Sequence, residues 1–180
     1  MKAGDRMSAS GHGHQQREGL LAEHPWGDAG QIVFAILFLV VWIVDTFVLR
    51  YTTFINVRVP FSLRAAVGTV NILVALYMAR SSQRIVFGKK RDKPEVIREG
   101  VYGIVRHPMY LSEILLGLGI LLFSLSLAAA GVWVLAIGFL HFIAKYEERQ
   151  LLEHFGNDYR DYMQEVRMWL PSVSGRLIDR

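Results

Sequence analysis

The chain has 180 residues, of which 52% are hydrophobic and 20% charged, with 20 Lys and Arg against 16 Asp and Glu. That length suits one compact unit. The composition excludes a disordered chain and fits poorly with a soluble domain, whose surface needs about 25% charged residues. With no cysteine present, disulfide scaffolds, thiolate metal sites and cysteine nucleophiles are excluded. The net charge of +4 is better explained by the basic loops of a membrane protein than by a nucleic-acid partner.

Residues 1–30 are polar and rich in Gly, Ser and His, and read as a mobile tail. His12 and His14 lie there without a supporting carboxylate or cysteine cluster, so no metal site is expected. Residues 32–44 carry no charge. Asp45 interrupts the run, and Thr46 to Leu49 complete a span close to the ~20 residues that cross a bilayer. A secretory signal is the competing reading, but the apolar core is too long and no small-residue cleavage site follows it.

A second apolar run, 65–79, contains Gly68 and Asn71, residue types suited to helix packing in lipid. With residues 61–63 it is long enough to span, Arg64 snorkelling to the interface. A tilted or interfacial helix is the alternative. Residues 31–80 thus form two N-terminal membrane helices.

Residues 114–144 run for 31 positions without a formal charge. A single helix of that length would reach about 46 Å, too long for a ~30 Å hydrocarbon core. Ser124, Ser126 and the Ala128-Ala-Ala-Gly131 segment offer a turn, which predicts a helical hairpin. The flanking segments then emerge on one side. Between Arg80 and Tyr110 lie eight basic and three acidic residues, which predicts that this side is the cytoplasm. The expected fold is an all-α integral membrane protein with about four transmembrane helices and an amphipathic tail helix.

Two segments on that side carry chemistry. In the first, Pro108 is placed to open the third helix, where a missing N–H costs nothing. Arg106 and His107 stand beside the unpaired N–H groups of that helix start, an arrangement that suits an anionic group. The alternative is that both side chains face anionic headgroups. In the second, the fourth helix is expected to stop at Gly156, with Asp158 capping a short helix. Tyr159, Tyr162, Val166 and Trp169 then read as an interfacial aromatic belt. Glu147 and Glu148 sit where an apolar helix leaves lipid and need cationic partners. Lys145 and Arg149 are candidates, and so is a ligand ammonium. Together with an anion subsite at His107, the pair would grip a zwitterion.

The segment Gly100-Val-Tyr102-Gly-Ile-Val-Arg106-His107-Pro108-Met-Tyr110, an apolar hairpin, and then Glu147-Glu148-Arg-Gln-Leu151-Leu-Glu-His-Phe155-Gly156-Asn-Asp-Tyr159-Arg-Asp-Tyr162 closely resemble the isoprenylcysteine carboxyl methyltransferase family. That family sits in a wider group with phospholipid N-methyltransferases and, more distantly, membrane sterol reductases. The resemblance implies a multi-pass membrane methyltransferase using S-adenosyl-L-methionine in a cytoplasmic pocket. By position in the motif, it implies cofactor contacts at Val96, Ile97, Tyr102, His107 and Tyr110, with Glu147 holding the cofactor's ammonium. Arg106, Lys145 and Glu148 are further candidate contacts for cofactor or substrate. The resemblance names no catalytic residue; a carboxylate or thiolate acceptor needs no general base, and for an amine Glu148 or His107 could take the proton.

The family's carboxyl methyltransferases carry an arginine one helical turn before that glutamate, assigned to the substrate carboxylate. Here the position is Ile143, with His141 and Lys145 nearby. The acceptor expected from the resemblance is lipid-like or prenylated, as in carboxyl O-methylation of isoprenylcysteine. Phospholipid N-methylation, with phosphatidylethanolamine as acceptor, is the alternative, and a non-enzymatic membrane binding protein the second. The expected organisation is a tail (1–30), two membrane helices (31–80), the methyltransferase-like region (81–171) and a C-terminal extension (172–180).

Overall fold

The computed structural model describes residues 27–88 and 94–171. The tail with His12 and His14, the basic run around Lys90 and the C-terminal extension lie outside the described residues. Within them the fold is that of an all-α membrane protein. Helix α1 covers Gly27–Ile43, α2 Phe61–Gly88, α3 Pro108–Ser124, α4 Leu127–Phe155 and α5 Asn157–Glu165. Gly27–Leu49, Phe61–Gly88 and Leu127–Phe155 are each long and apolar enough to cross a bilayer. Helix α3 is apolar but, at about 25 Å, stops short of a ~30 Å core. Large apolar side chains such as Phe47, Leu73, Leu135 and Phe142 stay exposed, as a lipid-facing surface requires.

Helix α2 packs along α3, α1 packs against α4, and α3 and α4 form the hairpin. The α2–α3 contact is close because it is built on two glycines. A Cβ on Gly68 would stand 2.9 Å from the Gly119 carbonyl oxygen, and one on Gly119 would stand 2.9 Å from that of Gly68. Small residues let backbones approach in this way in lipid. Asn71 takes no part, its amide donating to Val67 O of its own helix at 3.0 Å. Gly119→Leu should therefore overpack the contact and cost about 1–3 kcal/mol, read as a lower unfolding temperature in detergent. An unchanged temperature would place the two backbones further apart.

The hairpin turn is tighter than expected. Leu125, in the left-handed region at φ 47°, and Ser126 make it, and Ala128 to Gly131 already belong to α4. Asp45 explains why the turn holds. Helix α1 ends in a π-helical turn, Val44–Leu49, that directs Asp45 inward, 4% exposed. Its carboxylate accepts from Ser126 Oγ at 2.6 Å, from Thr52 N at 3.1 Å and from the Thr52 hydroxyl. Thr52 Oγ1 in turn accepts from Ala128 N at 3.0 Å.

Arg64 completes this knot rather than snorkelling. It is 8% exposed and donates to Asn56 Oδ1 at 2.6 Å, Phe123 O at 2.7 Å and Val59 O at 3.1 Å. Three acceptors at the helix end satisfy a buried guanidinium better than a headgroup layer it would have to reach.

At the opposite end of the hairpin, α4 stops at Gly156, whose φ of 57° turns the chain into α5. Asp158 lies in the first turn of α5 and is not its cap. The apolar face of α5 covers protein rather than lipid. Tyr159 and Tyr162, each 3% exposed, pack with Val166 against Val96, Leu151, Leu152 and Phe155. Burial pushes both phenols up from their ordinary range, so they remain hydrogen-bond donors. The expected aromatic belt is thus a clamp between the 96–102 loop and the end of α4.

Candidate functional site

Three segments converge where α3 begins: residues 106–110, the α4 stretch 145–148, and the tail after α5. Pro108 is the first residue of α3, and His107 occupies the preceding cap position. The Arg106 side chain is 8% exposed. Its Nε donates to Glu148 Oε1 at 2.7 Å, and its Nη1 donates to Val166 O at 2.6 Å and Met163 O at 3.0 Å. Its backbone N–H donates to Arg167 O at 3.0 Å. Arg106 is therefore a staple between the start of α3, the end of α4 and the tail. It is available neither as an anion subsite nor to headgroups.

Glu148, its side chain 3% exposed, is the other half of the staple. Lys145 Nζ bonds its second oxygen at 3.0 Å, and His107 Nε2 lies 3.5 Å from its first. A carboxylate this buried needs such compensation. Lys145 and Arg106 provide it, where Lys145 and Arg149 had been the candidates.

Glu147 faces the other way, toward α3. Its Oε1 accepts the Tyr110 hydroxyl, and its Oε2 lies 3.7 Å from His107 Nδ1. The His107 and Tyr110 rings lie parallel, 4° apart in plane with centroids 5.6 Å apart. His107 is 8% exposed, and its Nε2 is buried without a hydrogen-bond partner. The imidazole thus lies between two carboxylates, Nε2 facing Glu148 Oε1 and Nδ1 facing Glu147 Oε2, both contacts longer than a good hydrogen bond. His107 and Glu147, read as opposite poles of a clamp, are in fact neighbours.

Trp169 closes one side. Its ring centroid lies 6.1 Å from that of His107 and 6.2 Å from that of His141, and its Nε1 donates to His141 Nδ1 at 3.1 Å. Sequence reasoning placed Trp169 at the interface and missed this contact. The only signal was its position two residues before Pro171, which stops the chain from continuing as a helix past the site.

The remaining predicted residues lie in the loop that leads into this cluster, and Ile143 on α4. Val96 sits in the apolar cluster under α5, and Ile97 is half-buried in the same loop. Tyr102 offers its carbonyl to the Tyr162 hydroxyl at 2.7 Å. Ile143 is 1% exposed in the core. Among the described residues, no group of His, Asp or Glu could hold a metal ion.

The profile of a family described as a protein of unknown function, DUF1295, matches residues 11–166. A protein-S-isoprenylcysteine O-methyltransferase of Rattus norvegicus is 29% identical over 104 residues, 57% of this chain and 37% of its own length. The Arabidopsis thaliana protein-S-isoprenylcysteine O-methyltransferase B is 28% identical over 96 residues, 53% of this chain and 49% of its own. A methanethiol S-methyltransferase of Mycobacterium tuberculosis is 39% identical over 74 residues, 39% of this chain and 28% of its own. The chain thus spans less than half the length of these relatives. They bear out the resemblance to the isoprenylcysteine carboxyl methyltransferases. No solved structure matches at a significant level.

Proposed function

The chain belongs to the DUF1295 family, and from that premise we propose that it is a membrane methyltransferase using S-adenosylmethionine on a lipid-like acceptor. The observation that carries the reading is the buried His107, parallel to Tyr110 and set between Glu147 and Glu148.

A site for this cofactor must accept two cationic groups, a sulfonium and an ammonium. Glu147 offers a carboxylate, and the rings of Tyr110 and Trp169 offer aromatic faces. His107, between the two carboxylates, orders the Glu147 side of the site. These residues fit the cofactor, which when bound supplies an electrophilic methyl group. The protein's own contribution is alignment, since an in-line displacement depends mainly on geometry. The Arg106–Glu148 staple fixes the tail so that Trp169 closes the site and limits water. The basic excess between Arg80 and Tyr110 supports a site facing the cytoplasm.

For the acceptor, the isoprenylcysteine-like reading follows the named relatives. A second reading has specific support. Ile143 brings no charge, Arg106 is fully engaged, and Lys145 is held by Glu148. Among the described residues, the cations of the cluster are thus already matched to a carboxylate, which favours an amine acceptor such as phosphatidylethanolamine over an acid.

Titration of detergent-purified protein with S-adenosylmethionine and with NADPH tests the first level. Saturable binding of the first alone is expected; binding of neither would make this a non-enzymatic membrane protein. Labelled cofactor offered with a farnesylcysteine analogue, phosphatidylethanolamine or a short thiol then separates the acceptors. Turnover of the short thiol alone would overturn a lipid-like acceptor.

A further inference from the structure

A second feature lies one helical turn deeper than the His107 cluster. An apolar groove with a cavity of about 140 Å³ runs between α1, α3 and α4. Its walls are aromatic. Phe34 and Phe139 lie with ring centroids 5.1 Å apart, and Phe38 and Trp133 also line it. Trp133 is pinned by a bond from its Nε1 to Ile114 O at 3.0 Å. The indole fits because position 117 is glycine: a Cβ there would stand 2.7 Å from the Trp133 ring. An apolar cavity of ~150 Å³ takes up a ligand the size of benzene, so this groove has room for a stretch of hydrocarbon chain and not for a whole lipid.

The lining contains one charged side chain. Glu113 lies at the groove with Gln31 as its polar neighbour. Among the described residues no cation pairs with Glu113, and Asp28 adds a second negative charge close enough to act on it. Glu113 lies one helical turn along α3 from Tyr110, whose hydroxyl bonds Glu147. The groove's polar end and the His107–Glu147 cluster are therefore adjacent.

Lipid tails are as apolar as the groove walls, so the walls give little selectivity among chains already in the bilayer. Selectivity must come from the polar end. A carboxylate at the edge of hydrocarbon calls for a cation or strong donor. We propose that this groove binds a single-chain amphiphile with a basic amine head, its chain between α1 and the hairpin and its ammonium on Glu113. Taken as the methyl acceptor, this ligand deepens the amine reading above and rests on it. The ammonium first gives its proton to the Glu113 carboxylate, and the freed nitrogen lone pair then takes the methyl as its bond to the cofactor sulfur breaks, leaving the thioether. The binding itself does not rest on that reading.

The test uses full-length protein in phosphatidylcholine nanodiscs without cofactor. The probe is a C12 primary amine with a diazirine near its chain end, and crosslinked residues are mapped by mass spectrometry. Labelling should concentrate on Phe34, Trp133 and Phe139 and be displaced by dodecylamine but not by dodecanoate. Glu113→Gln, which keeps the side-chain shape, should raise the half-saturating concentration at least 10-fold. Ala136→Phe, which fills the groove from α4, should remove the labelling while leaving S-adenosylmethionine binding in place. Labelling spread evenly over the lipid-facing helices, or equal affinity in Glu113→Gln, overturns the proposal. Groove-specific labelling, with no methylation of dodecylamine in a parallel assay with labelled S-adenosylmethionine, overturns only the acceptor assignment and leaves the site standing.

Discussion

Arg106→Ala should release the C-terminal tail and destabilise the protein by about 3–5 kcal/mol, the range for removing one partner of a buried ion pair. The substitution leaves Glu148, with its side chain 3% exposed, to Lys145 and to His107 Nε2 at 3.5 Å. It also strips the donors from the carbonyls of Met163 and Val166. Those carbonyls lie where α5 ends, so the segment carrying Trp169 loses its anchor. Limited proteolysis should cut after α5 in the variant and not in the parent, and the unfolding temperature in detergent should fall. Arg106→Lys should be intermediate, because one ammonium cannot reproduce the fork that reaches both Glu148 and two carbonyls. If Arg106→Ala keeps both the protease resistance and the unfolding temperature of the parent, the staple contributes nothing and Arg106 is free for a ligand.

This expectation also shows where sequence reasoning reached its limit. Arg106 stood out because it flanks a helix start opened by Pro108, and that local fact is correct. What the local pattern cannot hold is the partner, since Glu148 lies 42 residues away and Val166 lies 60 away. An arginine beside unpaired N–H groups suggests an anion from solution until the fold brings a carboxylate to it. Arg64 makes the same point at the other end of the bundle. Its sequence context suits snorkelling, yet the Phe123 carbonyl, 59 residues on, satisfies it inside.

The membrane helices were legible because their signal is local. An uncharged run of 31 residues is too long for one crossing and must fold back. The position of the turn was less legible, since Ser124, Ser126 and Gly131 are all acceptable turn residues. Asp45 decides among them by accepting from Ser126. The tail aromatics were misassigned for a related reason. Tyr and Trp suit a headgroup layer and a protein clamp equally well, and only the loop opposite, with the Tyr102 carbonyl, distinguishes the two. At the candidate site, the residues brought together are those from two short motifs whose helices adjoin. From the 96–102 loop, Val96 packs against α5 and the Tyr102 carbonyl accepts from Tyr162.

Glu147→Gln should weaken S-adenosylmethionine binding by roughly 10- to 150-fold, the equivalent of losing a charge-assisted hydrogen bond of ~1.5–3 kcal/mol. The substitution is informative because it should leave the architecture intact. An amide oxygen can still accept the Tyr110 hydroxyl, and the Arg106–Glu148 staple lies on the opposite side of the helix turn. An unchanged unfolding temperature with weakened binding therefore reports the charge itself. Comparing S-adenosylmethionine with S-adenosylhomocysteine locates what that charge meets. The two share the ammonium, but only the first carries the sulfonium. Equal losses for both place Glu147 on the ammonium; a loss confined to S-adenosylmethionine places it near the reacting sulfur, beside the Tyr110 ring. If the variant binds both as well as the parent does, Glu147 serves only to hold Tyr110 and His107, and the cofactor's cationic groups must be met elsewhere.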